Sequence, residues 1–290
     1  MRPFTFINVA STVDGKLAPA NRKFVPFGSR RDLELLYDLR AASDAVIAGA
    51  RTVDSAAGHY GPGPARYRRL RLQRGLAEYN LRVIVSGAGT LNPRADIFRH
   101  RFSPIIVLVS GRAPLRKVLQ LEAAADEVKV FGEDQLDFAA AFDWLRQHWK
   151  VKRLLCEGGG ELNFALLRRG LIDEIYQTAC PLILGGRHAP TLADGAGFSS
   201  ANEAVRVRIK SVKRSANELF LVYRVVKKEA AEGRPRRSIK SVKRAPAGVA
   251  DVRSRRLRLD PASFRRQRST ASKLPTALLL RRTDRWVHTE

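Results

Sequence analysis

The chain has 290 residues, 44% of them hydrophobic, and carries 53 Lys and Arg against 28 Asp and Glu, a formal net charge of +25. That is enough to bury a large core and fits one large domain with an appendage. No apolar run approaches the roughly 20 residues of a membrane-spanning helix. Two cysteines and five scattered histidines speak against a disulfide framework or a metal-spaced cluster. The opening residues lack the apolar stretch of a signal peptide, so the expectation is a reduced cytoplasmic protein with no metal and no membrane association.

Phe4 to Ala10 is rich in β-formers and reads as a strand. Ser29 to Ala41 reads as a helix. Ser29 is placed to cap it, Asp32 sits in its first turn, and Leu33, Leu36, Tyr37 and Arg40 fall at helical spacing. Ala45 to Ala50 is a short buried strand. Gly58, Gly61, Pro62, Gly63 and Pro64 mark a loop, and the arginines that follow suggest a basic helix before Tyr79. Leu81 to Ser86, Pro104 to Ser110 and Glu127 to Phe131 are runs of strand length. Phe138 to Trp149 is helical, with Phe138, Phe142, Leu145 and Trp149 on one face. Arg153 to Cys156 is a strand, and Glu161 to Arg169 a helix closed by Gly170. Ile172 to Leu184 reads as a long strand broken near Pro181. Val205 to Lys213 and Glu218 to Val226 alternate, and Ser215-Ala216-Asn217 between them suggests a hairpin.

Near-continuous apolar strands that alternate with helices imply an α/β domain with helices on both faces of the sheet. The hairpin makes that sheet mixed, though mostly parallel. The pattern stops near Lys228. From Gly233 to Glu290 there are 17 Lys and Arg and 4 Asp and Glu, so about half of the net charge lies in one fifth of the chain. The expectation is a domain over residues 1–228 and a basic, disordered tail over 229–290. Ile209 to Arg214 recurs letter for letter at Ile239 to Arg244, too little to make a repeat architecture.

Several segments that could hold a ligand follow the ends of strands, where open α/β sheets bind. Ala10 to Ala18 ends a strand in small residues and then turns through Asp14-Gly15-Lys16. Lys16 could hold a phosphate or polarise a carbonyl, or the segment could be an ordinary turn with a surface lysine. Cys156-Glu157-Gly158-Gly159-Gly160-Glu161-Leu162 runs from a strand through three glycines into a helix. Backbone N–H groups there could face an anion, and a tight structural turn is the plain alternative. The third glycine of the dinucleotide fingerprint GxGxxG is missing. Gly49 to Val53 with Thr52, Ser86 to Gly89, and Leu184-Gly185-Gly186 add further glycine or hydroxyl sites. No GxxxxGK[ST] loop or GxSxG elbow occurs, and a site so poor in acid–base groups suits chemistry carried by a cofactor.

Taken in order, Ala10 to Lys16, Leu39 to Ala45, Gly49 to Val53, Cys156 to Gly159, Gly170 to Glu174 and Pro181 to Gly186 resemble the reductase domain of the riboflavin-biosynthesis deaminase-reductase and its stand-alone relatives. The resemblance covers residues 3 to 226. It implies a dihydrofolate-reductase-like fold, a homodimer, and NADPH as cofactor. It also implies reduction of the ribose of an aminopyrimidine ribosyl phosphate to a ribityl chain, with hydride delivered to the sugar C1. By the same analogy, Ala10, Thr52, Ser86 and Gly158, Gly159, Gly160, Glu161 and Leu162 contact cofactor, while Asp14, Arg40 and Glu157 face substrate. Lys16, Glu157 or an ordered water would move the proton. Family members carry an Asp-Asp-Pro run after the threonine, where this chain has Asp54 to Gly63 with Tyr60-Gly61-Pro62-Gly63. That change leaves open a same-fold reductase for a pterin or another carbonyl compound. The basic tail leaves open a nucleic-acid-binding protein.

Overall fold

Nine short runs rich in Val, Ile, Leu and aromatic residues form the strands of one sheet. The computed structural model describes residues 1–23, 25–55 and 58–227. The expected tail over 229–290, with the second copy of the six-residue repeat, lies outside the described residues. In chain order the elements are β1 (Phe4–Thr12), α1 (Arg30–Ala41), β2 (Ala45–Gly49), α2 (Ala50–Ser55), α3 (Ala65–Gln73), β3 (Leu81–Val85), β4 (Ile105–Val109), α4 (Leu115–Glu122), β5 (Glu127–Val130), α5 (Phe138–His148), β6 (Arg153–Cys156), α6 (Gly160–Arg168), β7 (Glu174–Cys180), β8 (Val207–Ser215) and β9 (Glu218–Val225). The sheet order is β5-β4-β3-β2-β6-β1-β7-β9-β8. All neighbours run parallel except β7 with β9 and β9 with β8. The expected mixed sheet with its antiparallel C-terminal hairpin is therefore the fold observed.

Alternation along β1 sorts its side chains to two cores. Ile7 and Val9 join Phe138, Phe142, Leu145, Leu162 and Leu166 from α5 and α6. Phe6 joins Leu39, Ala50, Val53 and Leu121 from α1, α2 and α4. The central strands β2 and β4 are apolar on both faces, and β3 is so but for the buried Arg82, because helices cover both.

Two helices escaped the sequence reading. α2 starts at Ala50, the residue after β2 ends, and its six residues are too few to show a period. α4 follows Pro114, and its eight residues, of which only Leu121 is buried, make only about two turns. The long strand expected over Ile172 to Leu184 is shorter. β7 ends at Cys180, before Pro181, which has no N–H to give to a ladder.

Both ends of α1 are fixed by distant residues. At its N-terminus, Ser29 Oγ accepts from the amides of Arg31 and Asp32 at 3.1 and 3.3 Å. The same serine donates from N and Oγ to the carboxylate of Glu218, the first residue of β9. At its C-terminus, the buried Arg71 of α3 donates to the carbonyl of Arg40 in the last turn and to that of Ser43 just beyond it, while its Nε donates to Ala77 O after α3. Burial lowers the Arg71 pKa to about 10, still well above neutrality.

Asp173 stitches the start of β1 to β7. Its carboxylate accepts from both terminal nitrogens of Arg2, at 2.7 and 2.8 Å, and from the Thr5 amide at 2.9 Å. Lys227 Nζ lies 3.2 Å away. Burial opposes the charge, but Arg2, the Thr5 amide and Lys227 outweigh it and hold the carboxyl below its ordinary range. A depressed folded-state pKa stabilises the fold above the unfolded value of about 3.9 and loses that stabilisation as pH falls through the folded value. Asp173→Asn is expected to lower the unfolding free energy by about 1–3 kcal/mol at neutral pH. Urea titrations from pH 7 down to pH 3 should show this deficit shrinking below about pH 4, and a constant deficit would contradict the assignment.

Candidate active site

The C-terminal ends of β1, β2, β3 and β6 open into one cavity of about 1050 Å³. Its wall includes Ala10, Thr52, Ser86, Glu157, Gly159, Gly160, Glu161 and Leu162, most of the residues picked from the strand ends. The triple-glycine turn therefore faces Thr52 and Ser86 across a shared cleft.

Adjacent strands bring this about. The ladder between β2 and β6 continues past the strands, with Glu157 N donating to Ile47 O at 3.0 Å and Gly49 N to Gly158 O at 2.8 Å. Gly159 N then donates to Thr52 Oγ1 at 2.8 Å. Two of the glycines are required. Gly158 has φ +82°, in the left-handed region. A Cβ on Gly160 would lie 2.5 Å from the backbone oxygen of Thr191 and closer still to Asp194. Gly159 caps α6 without a side chain, so the first-turn amides of α6 have no capping partner and point their partial positive charge at the cavity. An ion pair between Arg51 and Glu161 joins α2 to α6 at the rim.

Ser86 is buried. Its Oγ accepts from Leu91 N at 2.9 Å, and its carbonyl accepts from Gly89 N at 2.7 Å. This closes a tight turn whose Gly87 and Ala88 line the cavity. Arg112, just beyond β4, brings an exposed cation to the same wall.

Arg40 and Glu157 form a two-pronged ion pair, with Nε and Nη2 each 2.6 Å from a carboxylate oxygen. Both side chains are nearly buried, at 11% and 10% exposure. Arg40 also donates to Gly61 O at 2.9 Å and packs on the Tyr60 ring. The Tyr60-Gly61-Pro62-Gly63 loop thus clasps the arginine from behind. Burial opposes the Arg40 charge, and the Glu157 carboxylate more than restores it. Glu157 reaches the cavity wall. Arg40 does not, and it serves Glu157 instead of meeting the cavity directly.

Asp14 and Lys16 also lie off the cavity wall. Asp14 accepts from Thr12 Oγ1 at 2.5 Å, Leu184 N at 3.2 Å and Gly185 N at 2.7 Å. The Thr12 hydroxyl is the main reason that its carboxyl titrates below the ordinary range. Lys16 gives its amide to Thr12 Oγ1 and bridges to Thr191. Both residues brace the loop after β7. Gly158 likewise shapes the glycine turn from behind Gly159, off the wall.

The wall also carries Asn8 and Asp32, which were not picked as site residues. Each keeps a buried oxygen with no hydrogen-bond partner, and the Thr178 hydroxyl lies close to Asp32. One signal was available: Asn8 is the lone amide in an otherwise apolar strand. Asp32 reads in the sequence only as a first-turn residue of α1.

The model of the RibD C-terminal domain family matches residues 3–221. A 2,5-diamino-6-ribosylamino-4(3H)-pyrimidinone 5′-phosphate reductase of Archaeoglobus fulgidus is 35% identical over 214 residues, covering 74% of this chain and 94% of the relative. The protein of the same description from Methanothermobacter thermautotrophicus is 31% identical over 225 residues, covering 78% and 99%. Among solved structures, a pyrimidine reductase-like protein of Corynebacterium diphtheriae superposes with a TM-score of 0.66 at 21% identity, covering 78% of this chain and 93% of that one. At that identity the likeness speaks to fold alone.

The glycine turn gives a paired prediction. Gly160→Ala must displace the backbone at Thr191 and is expected to cost about 1–3 kcal/mol. Gly87→Ala, whose Cβ would meet nothing within 4 Å, is expected to leave the unfolding midpoint unchanged. Thermal melts of the two variants check this, and equal midpoints would contradict the close packing at Gly160.

Proposed function

The chain belongs to the RibD C-terminal domain family, and from that premise we propose that it is an NADPH-dependent reductase of riboflavin biosynthesis. Its proposed substrate is 2,5-diamino-6-ribosylamino-4(3H)-pyrimidinone 5′-phosphate, whose ribose becomes a ribityl chain. The observation that carries this reading is the cavity that these strand ends share. At about 1050 Å³ it reaches the upper end of ordinary ligand pockets, about 300–1,000 Å³, and suits two ligands side by side. We assign the activity to residues 1–228, which the family match at 3–221 nearly fills.

The residues fit a dinucleotide. Uncapped amides at the start of α6 suit a pyrophosphate. Thr52 holds the Gly159 amide in place, and the small residues Ala10, Gly87 and Ala88 let a flat ring approach the strand ends. Arg112 is the cation placed for the extra phosphate that distinguishes NADPH from NADH. A bound nicotinamide supplies the hydride. The protein orients the two ligands in aligned contact.

Glu157 is the acid–base candidate on the wall. Arg40 occupies one face of its carboxylate and fixes its direction, while the remaining lone pairs stay available to a sugar hydroxyl. Lys16, away from the cavity, supports the loop instead of the chemistry. The proposed homodimer has a natural seam at the edge strand β8, where Ile209 is 65% and Val212 52% exposed, since an exposed apolar edge invites pairing. Among the described residues no helix is long and apolar enough to cross a membrane, and we place the enzyme in the cytoplasm.

Three measurements test this reading. NADPH oxidation with the diaminopyrimidinone ribosyl phosphate should proceed, and Thr52→Val should weaken NADPH binding about tenfold or more by leaving the Gly159 amide unpaired. Arg112→Gln should reduce the preference for NADPH over NADH without changing NADH turnover. An unchanged preference would remove Arg112 from the role.

A further inference from the structure

Two buried polar oxygens on the cavity wall, Asn8 Oδ1 and Asp32 Oδ1, have no partner within hydrogen-bond distance, and the Thr178 hydroxyl of β7 lies close to Asp32. Buried polar groups are nearly always satisfied, so an orphaned set on a cavity wall points to a ligand that completes it. Asn8 and Ala10 on β1 align with Tyr176 and Thr178 on β7, and partners in register project to the same face of the sheet. That face is the one α1 covers, and α1 brings Asp32 onto it from its first turn.

The Asp32 carboxylate is held in position. Ser29 Oγ takes its amide, and Ser29 is itself anchored to Glu218. A Cβ on Gly28 would fall 2.2 Å from Asp32 Oδ2, so the glycine makes the room in which the carboxylate sits. Burial, with a smaller push from the charge of Glu218, raises the Asp32 carboxyl above its ordinary range, while the Thr178 hydroxyl pulls it down. A carboxylate so short of donors gains most from a ligand that offers two.

We propose that Asp32, with Thr178 and Asn8 beside it, recognises the 2-amino group and the neighbouring ring N–H of the substrate pyrimidine, and is the residue that selects this ring over its 2-oxo counterpart. The inference rests on the reductase reading above and deepens it. In a 2-aminopyrimidin-4(3H)-one, the exocyclic amine and N3–H are two donors side by side, spaced for the two oxygens of one carboxylate. In the corresponding 2,4-dione, an acceptor replaces the amine and faces a carboxylate oxygen. A site built on buried hydrogen bonds rejects the mismatched analogue by far more than a hydrophobic pocket does, up to about 10⁴-fold. An amide at position 32 offers one acceptor and one donor, which matches the dione edge.

The test uses the full chain and both ring types. Turnover is measured with the 2,5-diamino-pyrimidinone ribosyl phosphate and with its deaminated 2,4-dione. Binding of the bare rings 2,6-diaminopyrimidin-4(3H)-one and 6-aminouracil is measured in parallel by calorimetry. Wild type should favour the 2-amino compounds in both assays. Asp32→Asn should cut the ratio of kcat/KM values for the two substrates at least about 100-fold, mainly through KM, and reverse the calorimetric preference. Circular dichroism and NADPH binding should stay as in wild type. An unchanged ratio in a folded, NADPH-binding variant overturns the proposal and leaves the reductase reading intact. If wild type turns over neither substrate, the reductase reading falls, and the ring-binding preference still decides the role of Asp32. Gly28→Ala should weaken 2-amino ring binding with Asp32 retained, and unaltered binding there would count against the seat assigned to the carboxylate.

Discussion

The hydrogen bond from Gly159 N–H to Thr52 Oγ1 is the hinge on which the cavity depends. It exists because β6, formed about a hundred residues after β2, lies directly beside it in the sheet. The two strands end together, and their backbone pairing carries on through Gly49 and Gly158. Thr52, on a six-residue helix with little stability of its own, is then held against the glycine turn. Without that adjacency, the positive end of α6 would face solvent and the strand-end motifs would be four unrelated turns.

The sequence revealed what local pattern encodes. Apolar runs marked the strands, Ser29 marked the start of α1, and glycines after strands marked the cleft. It was silent where function depends on pairing between distant segments. Arg40 was expected to face substrate, but its fork engages Glu157, and only the fold brings those residues together. Asp14 and Lys16 sit in a recognisable motif, yet the loop after β7 takes up their hydrogen bonds. Asp32 reads locally as an ordinary first-turn residue of α1, so nothing in the chain order suggested that its carboxylate turns toward β7. The helices α2 and α4 were missed for the related reason that both are short, six residues and eight.

Charge composition misleads in a similar way. A strongly basic chain suggests a solvated or acid-seeking surface, but Arg71 and Arg82 are fully buried and bonded to backbone carbonyls. Arg40 is a third arginine turned inward. These side chains act as long, many-donor fasteners for chain segments that end without partners. Part of the positive charge is thus structural and offers nothing to a nucleic acid.

The tie between Ser29 and Glu218 has a temporal consequence. A nascent chain that has emerged as far as β6 and α6 holds the glycine turn and its Thr52 partner, but α1 still lacks the anchor for its first turn. Only the final hairpin brings Glu218, so the two sides of the cavity wall draw on segments made at different times. A protein truncated before β9 would keep the glycine turn while losing the residue that fixes the start of α1.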